Sequence, residues 1–207
     1  MTTPWLPRAL ELSRARGYLG PGPISGQISH AEGFMGCWEE FSTSPPRRVL
    51  DLGSGGGLPG LVLLDHWGSP TVLLDSMIRR SDFLREVLAW PDAPAGGSVV
   101  TARAEAVARR TDLQETFDLV TARSFGLPAT TSECAAQFLE TGGVLIVSER
   151  PEESVANRWN PDGLARLGLR SVGRRRHGAA FQVVVKDAAT PAEYPRAVGI
   201  PGKRPLF

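Results

Sequence analysis

The run Val49-Leu50-Asp51-Leu52-Gly53-Ser54-Gly55-Gly56-Gly57-Leu58-Pro59-Gly60 constrains this chain more than any other feature. It leaves a short apolar stretch that reads as a buried strand and enters a segment with helical apolar spacing. Five glycines within residues 53–60 permit positive φ and let the backbone approach a ligand closely. Asp75 ends the next apolar run, 24 residues beyond Asp51. An acid at that place can accept from both hydroxyls of a ribose.

Three readings of the loop compete. An ordinary strand-to-helix turn needs neither five glycines nor the acid. A dinucleotide site would use GxGxxG to seat a pyrophosphate on a helix N-terminus. Residues 53–58 lack that spacing, and residues 55–60 have it only late in the loop with Pro59 inserted. The third reading is S-adenosylmethionine, whose methyltransferases carry an acid, one further residue and GxGxG. Asp51-Leu52-Gly53-Ser54-Gly55-Gly56-Gly57 has that layout. Gly53, Ser54, Gly55 and Gly57 would then make room for the amino-acid end of the cofactor, with Asp75 and Ser76 at the ribose. Ala104 and Glu105, just past the third strand, would flank the adenine; by itself Glu105 reads as a helix-start carboxylate.

Around this loop the chain falls into three zones. Residues 1–47 are helical pieces split by the Gly/Pro-rich break at 17–23. Residues 48–187 alternate strands (48–52, 71–75, 99–102, 117–121, 144–147, 169–174, 181–186) with helices (58–66, 77–90, 105–110, 130–139, and 160 to about 168). Residues 188–207 contain four prolines and are expected to be extended. The alternation predicts an α/β fold with a parallel, Rossmann-like sheet covered on both faces, with a hairpin at His177-Gly178 inserting one antiparallel strand.

Composition narrows the classes. At 207 residues, 42% hydrophobic and 22% charged, the chain is one globular domain with modest appendages, neither disordered nor fibrous. The net charge of +1 argues against a broad polyanion-binding face. Of the 23 basic residues only Lys186 and Lys203 are lysine. Cys37 and Cys134 are not spaced for zinc or a disulfide framework and read as buried thiols, so no metal is expected. The first twenty residues lack the apolar core of a signal peptide, and no apolar run approaches the roughly 18 residues of a membrane helix; a cytoplasmic protein is expected.

The residues resemble the bacterial small-subunit ribosomal RNA methyltransferase G family, also called glucose-inhibited division protein B. The similarity runs through Asp51–Gly60, Leu73-Leu74-Asp75-Ser76 with Arg79-Arg80, Ala102–Glu105 and Phe117–Phe125. It resumes in the tail at Tyr194-Pro195-Arg196, Gly199, Pro201, Lys203 and Pro205-Leu206. The resemblance implies the seven-stranded class I methyltransferase sheet with an N-terminal helical extension. It also implies S-adenosylmethionine as cofactor and methylation of N7 of a guanine in 16S ribosomal RNA. Its cofactor contacts fall on Gly53, Leu58, Ala104, Glu105 and Arg123. The chain departs from the family after the fifth strand, where Leu-Lys-Gly is replaced by Ser148-Glu149-Arg150, and near His30, all that remains of a Trp/Arg-His stretch.

Guanine N7 carries a lone pair and no proton, so no general base, and hence no catalytic side chain, is expected. Thr121-Ala122-Arg123-Ser124 after strand four supplies none. Arg123 is the candidate grip on the cofactor carboxylate or a phosphate. Arg196, Lys203, Arg204 and His30 are candidates for RNA, and ribosomal RNA or the small subunit is the expected partner. Arg174-Arg175-Arg176-His177 reads as a solvated turn. A small-molecule methyltransferase, and a non-catalytic module that keeps the cofactor pocket, remain as alternatives.

Overall fold

A computed structural model describes residues 5–151 and 158–207; the first four residues of the N-terminal zone lie outside the described residues. Helices α1 (Trp5–Ala15) and α2 (Ile24–Glu39) precede β1 (Val49–Leu52), α3 (Gly60–Trp67), β2 (Thr71–Asp75), α4 (Ile78–Leu88) and β3 (Gly97–Thr101). Then follow α5 (Ala104–Val107), β4 (Phe117–Ala122), α6 (Pro128–Ala136), β5 (Leu139–Glu149), α7 (Pro161–Ala165), β6 (Leu169–His177), β7 (Ala179–Lys186) and α8 (Ile200–Lys203). The strands form one sheet in the order β3-β2-β1-β4-β5-β7-β6. The first five are parallel, β7 runs antiparallel to β5, and β6 closes the edge.

Alternate residues of each central strand are buried on opposite faces. Leu50, Leu52, Val72, Leu74 and Val120 pack with the α5–α7 side of the sheet. Leu73 points the other way, among Leu6, Leu10, Leu61 and Phe83 of α1, α3 and α4. Val49 and Leu119 meet Phe34 of α2 and Phe181 of β7. This two-sided burial is why β1, β2 and β4 are apolar throughout instead of alternating.

The edge β6 is rich in arginine, which discourages pairing with another chain. It runs on through His177, so Arg174–His177 are strand, not the expected solvated turn. Arg175 and His177 both pair with Glu40 at the end of α2, and Arg174 and Arg176 donate to the carbonyls of Arg150 and Pro151. Asn160 caps α7 as its sequence predicts, its Oδ1 accepting from Gly163 N at 2.8 Å. The tail differs from expectation. Pro201 occupies the first turn of α8, where its missing N–H is no loss, so a proline-rich segment holds a helical turn. Both cysteines are buried, and burial pushes the Cys37 thiol up to about 12. No helix among the described residues is long and apolar enough to cross a membrane.

Candidate active site

The sheet order reverses between β1 and β4, and the crevice beyond the carboxyl ends of those strands is where open α/β sheets bind ligands. The glycine loop follows β1, and Arg123-Ser124 follows β4. Asp51, 1% exposed, organises the loop from beneath. Its Oδ2 accepts from Gly60 N at 3.0 Å and its Oδ1 from Thr121 Oγ1 at 3.0 Å, which ties the start of α3 to β4. Burial pushes this carboxyl up to about 6, against those hydrogen bonds and one from Ser54, which pull it down. Gly53 and Gly55 have φ of 76° and 54°, conformations that side chains rarely adopt. A Cβ on Gly53 would also lie 2.6 Å from the ring of Phe125.

Asp75 closes the other side. Its Oδ2 accepts from Gly55 N and its Oδ1 from Met77 N, each at 2.8 Å. Each oxygen keeps further acceptor capacity, and Asp75 lines a cavity of about 190 Å³ bordered by Gly53, Ser76, Arg80, Ala104, Glu105 and Phe125, among others. A second cavity of about 250 Å³ adjoins it, sharing Gly53, Arg80 and Ser124. It is lined by the glycine loop, by Leu58 and Arg123, and by Tyr18, Leu19, Gly20 and Gln27 of the N-terminal zone. Arg80 Nε and Arg123 Nη1 are buried and lack a hydrogen-bond partner among the described residues. Both arginines line this second cavity, so it is built for an anionic group. Burial lowers the Arg123 pKa, and the nearby Asp51 charge opposes that effect.

These features fit S-adenosylmethionine: acceptors for a ribose diol on one side, unsatisfied guanidinium donors for a carboxylate on the other. A third cavity, of about 370 Å³, meets the other two at Ser124. Its walls include Phe125, Leu127, Pro128, Ser148, Glu149 and Trp159. Ser124 itself sits at φ 56°. A larger hollow, about 950 Å³ between α2, α3 and the β6–β7 hairpin, shares no lining residue with these three.

The structure brings Gly53, Ser54, Gly55, Leu58 and Arg123 to one cavity and Gly53, Asp75, Ser76, Ala104 and Glu105 to its neighbour. Gly57 lines neither cavity, and a Cβ on it would clash with Leu61 and touch Leu84. Glu105 also anchors the tail: its Oε1 accepts from Gly199 N at 3.0 Å. Burial alone would raise the Glu105 pKa, but Gly199 N–H, its own backbone N–H and Arg103 outweigh that and hold it below the usual range.

Two candidates for RNA contact, Arg196 and His30, are engaged within the fold. Arg196 does not reach outward. Its guanidinium is locked on the fully buried Glu133, with Nη2 to Oε2 at 2.7 Å. His30 is half-buried, stacked on Phe181 with centroids 5.6 Å apart, and its Nε2 meets Ser148 Oγ at 2.9 Å. Burial, then the Arg123 charge, lowers its pKa to about 4, which keeps the ring neutral near pH 7. Lys203 and Arg204 are exposed.

Two further residues, Arg80 and Gln27, join the site. Arg80 lies in the first turn of α4, five residues beyond Asp75, and that spacing was a usable signal. Gln27 holds Arg123 Nη2 at 2.5 Å from 96 residues away, and no local pattern marks it.

Comparison with known proteins agrees with this geometry. The family model described as rRNA small subunit methyltransferase G matches residues 34–158. A curated relative from Roseiflexus castenholzii, named ribosomal RNA small subunit methyltransferase G, is 39% identical over 172 residues, covering 78% of this chain and 72% of the relative. One of the same name from Symbiobacterium thermophilum is 34% identical, covering 86% and 78%. Among solved structures, the O-methyltransferase from Bacillus cereus in complex with SAH superposes with a TM-score of 0.61 at 16% identity, covering 90% of this chain and 92% of that one. The last likeness bears on the fold alone. Glycine loop, ribose acid, unsatisfied guanidinium donors and sequence relatives agree on S-adenosylmethionine-dependent methyl transfer, and the chain belongs to the rRNA small subunit methyltransferase G family.

Proposed function

We propose that this chain methylates N7 of a guanine in 16S ribosomal RNA in the bacterial cytoplasm. The relatives' shared name supports ribosomal RNA as the acceptor. The observation that carries the chemistry is the 370 Å³ cavity that meets both cofactor cavities at Ser124. A base entering there faces the end of β4, where Thr121-Ala122-Arg123-Ser124 holds no proton acceptor suited to an amine or hydroxyl nucleophile; the carboxylate on the cavity's wall, Glu149, lies at the end of β5 and is held by Arg158 and Trp159. N7 needs no proton acceptor, because its lone pair is free.

In this reading Asp75 takes the ribose hydroxyls, with Ser76 beside it, and Ala104 and Glu105 border the adenine. Arg123 and Arg80 hold the carboxylate, while Gly53, Ser54, Gly55 and Leu58 shape the floor. When bound, S-adenosylmethionine supplies an electrophilic methyl on a sulfonium. The protein aligns N7 with that methyl and excludes water, which converts a bimolecular displacement into an oriented one. Held by Asp75, Arg123 and Arg80, the cofactor would give its methyl to N7 and leave the positive charge on the purine. In this reading Lys203 and Arg204, both exposed, meet RNA phosphates, while Arg196 and His30 hold the tail and α2 in position.

Purified protein incubated with small ribosomal subunits and methyl-labelled S-adenosylmethionine tests the reading. Nuclease digestion and mass spectrometry should find one new 7-methylguanosine per 16S RNA. Label that stays off the RNA, or appears on another base or atom, would overturn it.

A further inference from the structure

The third cavity holds an acidic residue that methyl transfer to N7 does not itself require. Glu149 ends β5, and its side chain is 9% exposed. Its Oε1 accepts from Trp159 Nε1 at 3.0 Å and its Oε2 pairs with Arg158. A carboxylate offers about four lone-pair sites, so each oxygen retains one. Trp159 and Phe125, both partly packed on the α5–α7 core, are further walls of the same cavity, with Leu127 (59% exposed) at its rim.

The sheet register sets the span. Ala122 of β4 pairs with Val147 of β5, so Ser124 and Glu149 each lie two residues beyond the same rung, on two walls of one cavity. A purine with its five-membered ring at Ser124, where N7 can meet the methyl, directs its six-membered edge away from the cofactor. Guanine presents two parallel donors there, N1–H and the N2 amino group, and these complement the two oxygens of a carboxylate. Adenine presents an acceptor at N1 and would be repelled. Enzymes acting on an extruded base read that edge by hydrogen bonds, with aromatic or apolar side chains against the ring faces.

We infer that Glu149 is the guanine-selecting residue of this enzyme, its carboxylate accepting from N1–H and N2–H of the acceptor base while Trp159 and Arg158 fix its position. The inference rests on the guanine N7 reading above. It also gives the Ser148-Glu149-Arg150 sequence a role. The purine gains positive charge as the methyl arrives, and a carboxylate on its far edge stabilises that charge better than it stabilises the neutral base.

The test uses small subunits whose 16S RNA carries guanosine or inosine at the methylated position; inosine keeps N1–H and lacks the N2 amino group. The wild-type enzyme should lose about tenfold in kcat/KM on inosine, the cost of one buried hydrogen bond to a charge. Glu149→Gln should lose about tenfold or more on guanosine and show little further loss on inosine, with its affinity for S-adenosylmethionine unchanged. Glu149→Asp, which keeps the carboxylate, should recover part of the guanosine rate. Equal wild-type rates on guanosine and inosine, or an inosine penalty undiminished in Glu149→Gln, would overturn the role of Glu149 and leave N7 methylation standing. A wild-type enzyme inactive on the guanosine subunit would bring down both.

Discussion

Asp75 and Arg123 divide the work of holding the cofactor. Asp75 orders the loop through Gly55 N and Met77 N and still faces the cavity. Asp75→Ala should weaken S-adenosylmethionine binding by about 1.5–3 kcal/mol for each hydroxyl bond lost, measured by calorimetry. Arg123→Gln should weaken it too, but only for a cofactor with a carboxylate. Decarboxylated S-adenosylmethionine should bind wild type and Arg123→Gln alike, a double-mutant-cycle result that additive losses would contradict. His30 titrates within the fold. Its pKa is about 6.5 when free and about 4 in the folded protein. Between those values the unfolded chain binds more protons, so this contribution to stability is complete above about pH 6.5 and is lost as the pH falls toward about 4. Chemical denaturation of wild type and His30→Gln across that range should show the two converging as the pH falls. Asp51 was legible from its place before the glycines. The stacking of His30 on Phe181 was not, because those residues are 151 positions apart and only the sheet brings them together.

At the scale of elements, α1 and the following turn cover the glycine loop. Ser13 Oγ donates to Gly56 O at 2.8 Å, and a Cβ on Gly56 would fall 2.5 Å from Ser13 Oγ and 2.9 Å from the Tyr18 carbonyl. Gly56→Ala should therefore push this cover away, costing about 1–3 kcal/mol in thermal or denaturant unfolding and weakening cofactor binding in step. An unchanged midpoint would show that the cover is not seated on the loop. Most strands and helices were readable from apolar runs and caps, β2 to the residue. The exceptions have physical reasons. β5 begins at Leu139 instead of 144, because Phe117 of β4 pairs with Leu139 ahead of a bulge whose extra residues lie in β5, between Leu139 and Val144. β6 extends through three arginines because its edge position leaves them room to reach Glu40, Arg150 and Pro151.

Across the whole molecule, charge that looked free in sequence is largely committed. Lys186 is fully buried, with Nζ donating to Glu115 and to the carbonyls of Ala136 and Leu139 at 2.8–3.0 Å. The Arg196–Glu133 pair ties the tail to α6, and the Gly199 N–H donates to Glu105 on the wall of the cofactor cavity, so the tail is anchored behind the site. Arg196→Ala would leave the buried Glu133 carboxylate without its guanidinium partner, keeping the backbone N–H of residue 196, and should cost about 3 kcal/mol, the low end for such pairs because of that donor and because Arg196 is 27% exposed. Lys203 and Arg204 are exposed and carry the RNA prediction. Replacing each with alanine should weaken RNA binding with little regard to sequence and reduce the slope of log affinity against log salt by about one.

By itself the sequence determined the alternating α/β sheet, the glycine loop after β1 and the acid after β2. These are local consequences of apolar period, positive φ and strand length, written in contiguous residues. The tertiary structure alone decided which cations stay free, that Gln27 and Arg80 join Arg123 at the anionic pocket, and that Glu149 faces a cavity beside the cofactor groove. Those outcomes depend on which distant side chains the sheet order places within hydrogen-bond reach, and burial decides whether a charge is paired inside or solvated outside.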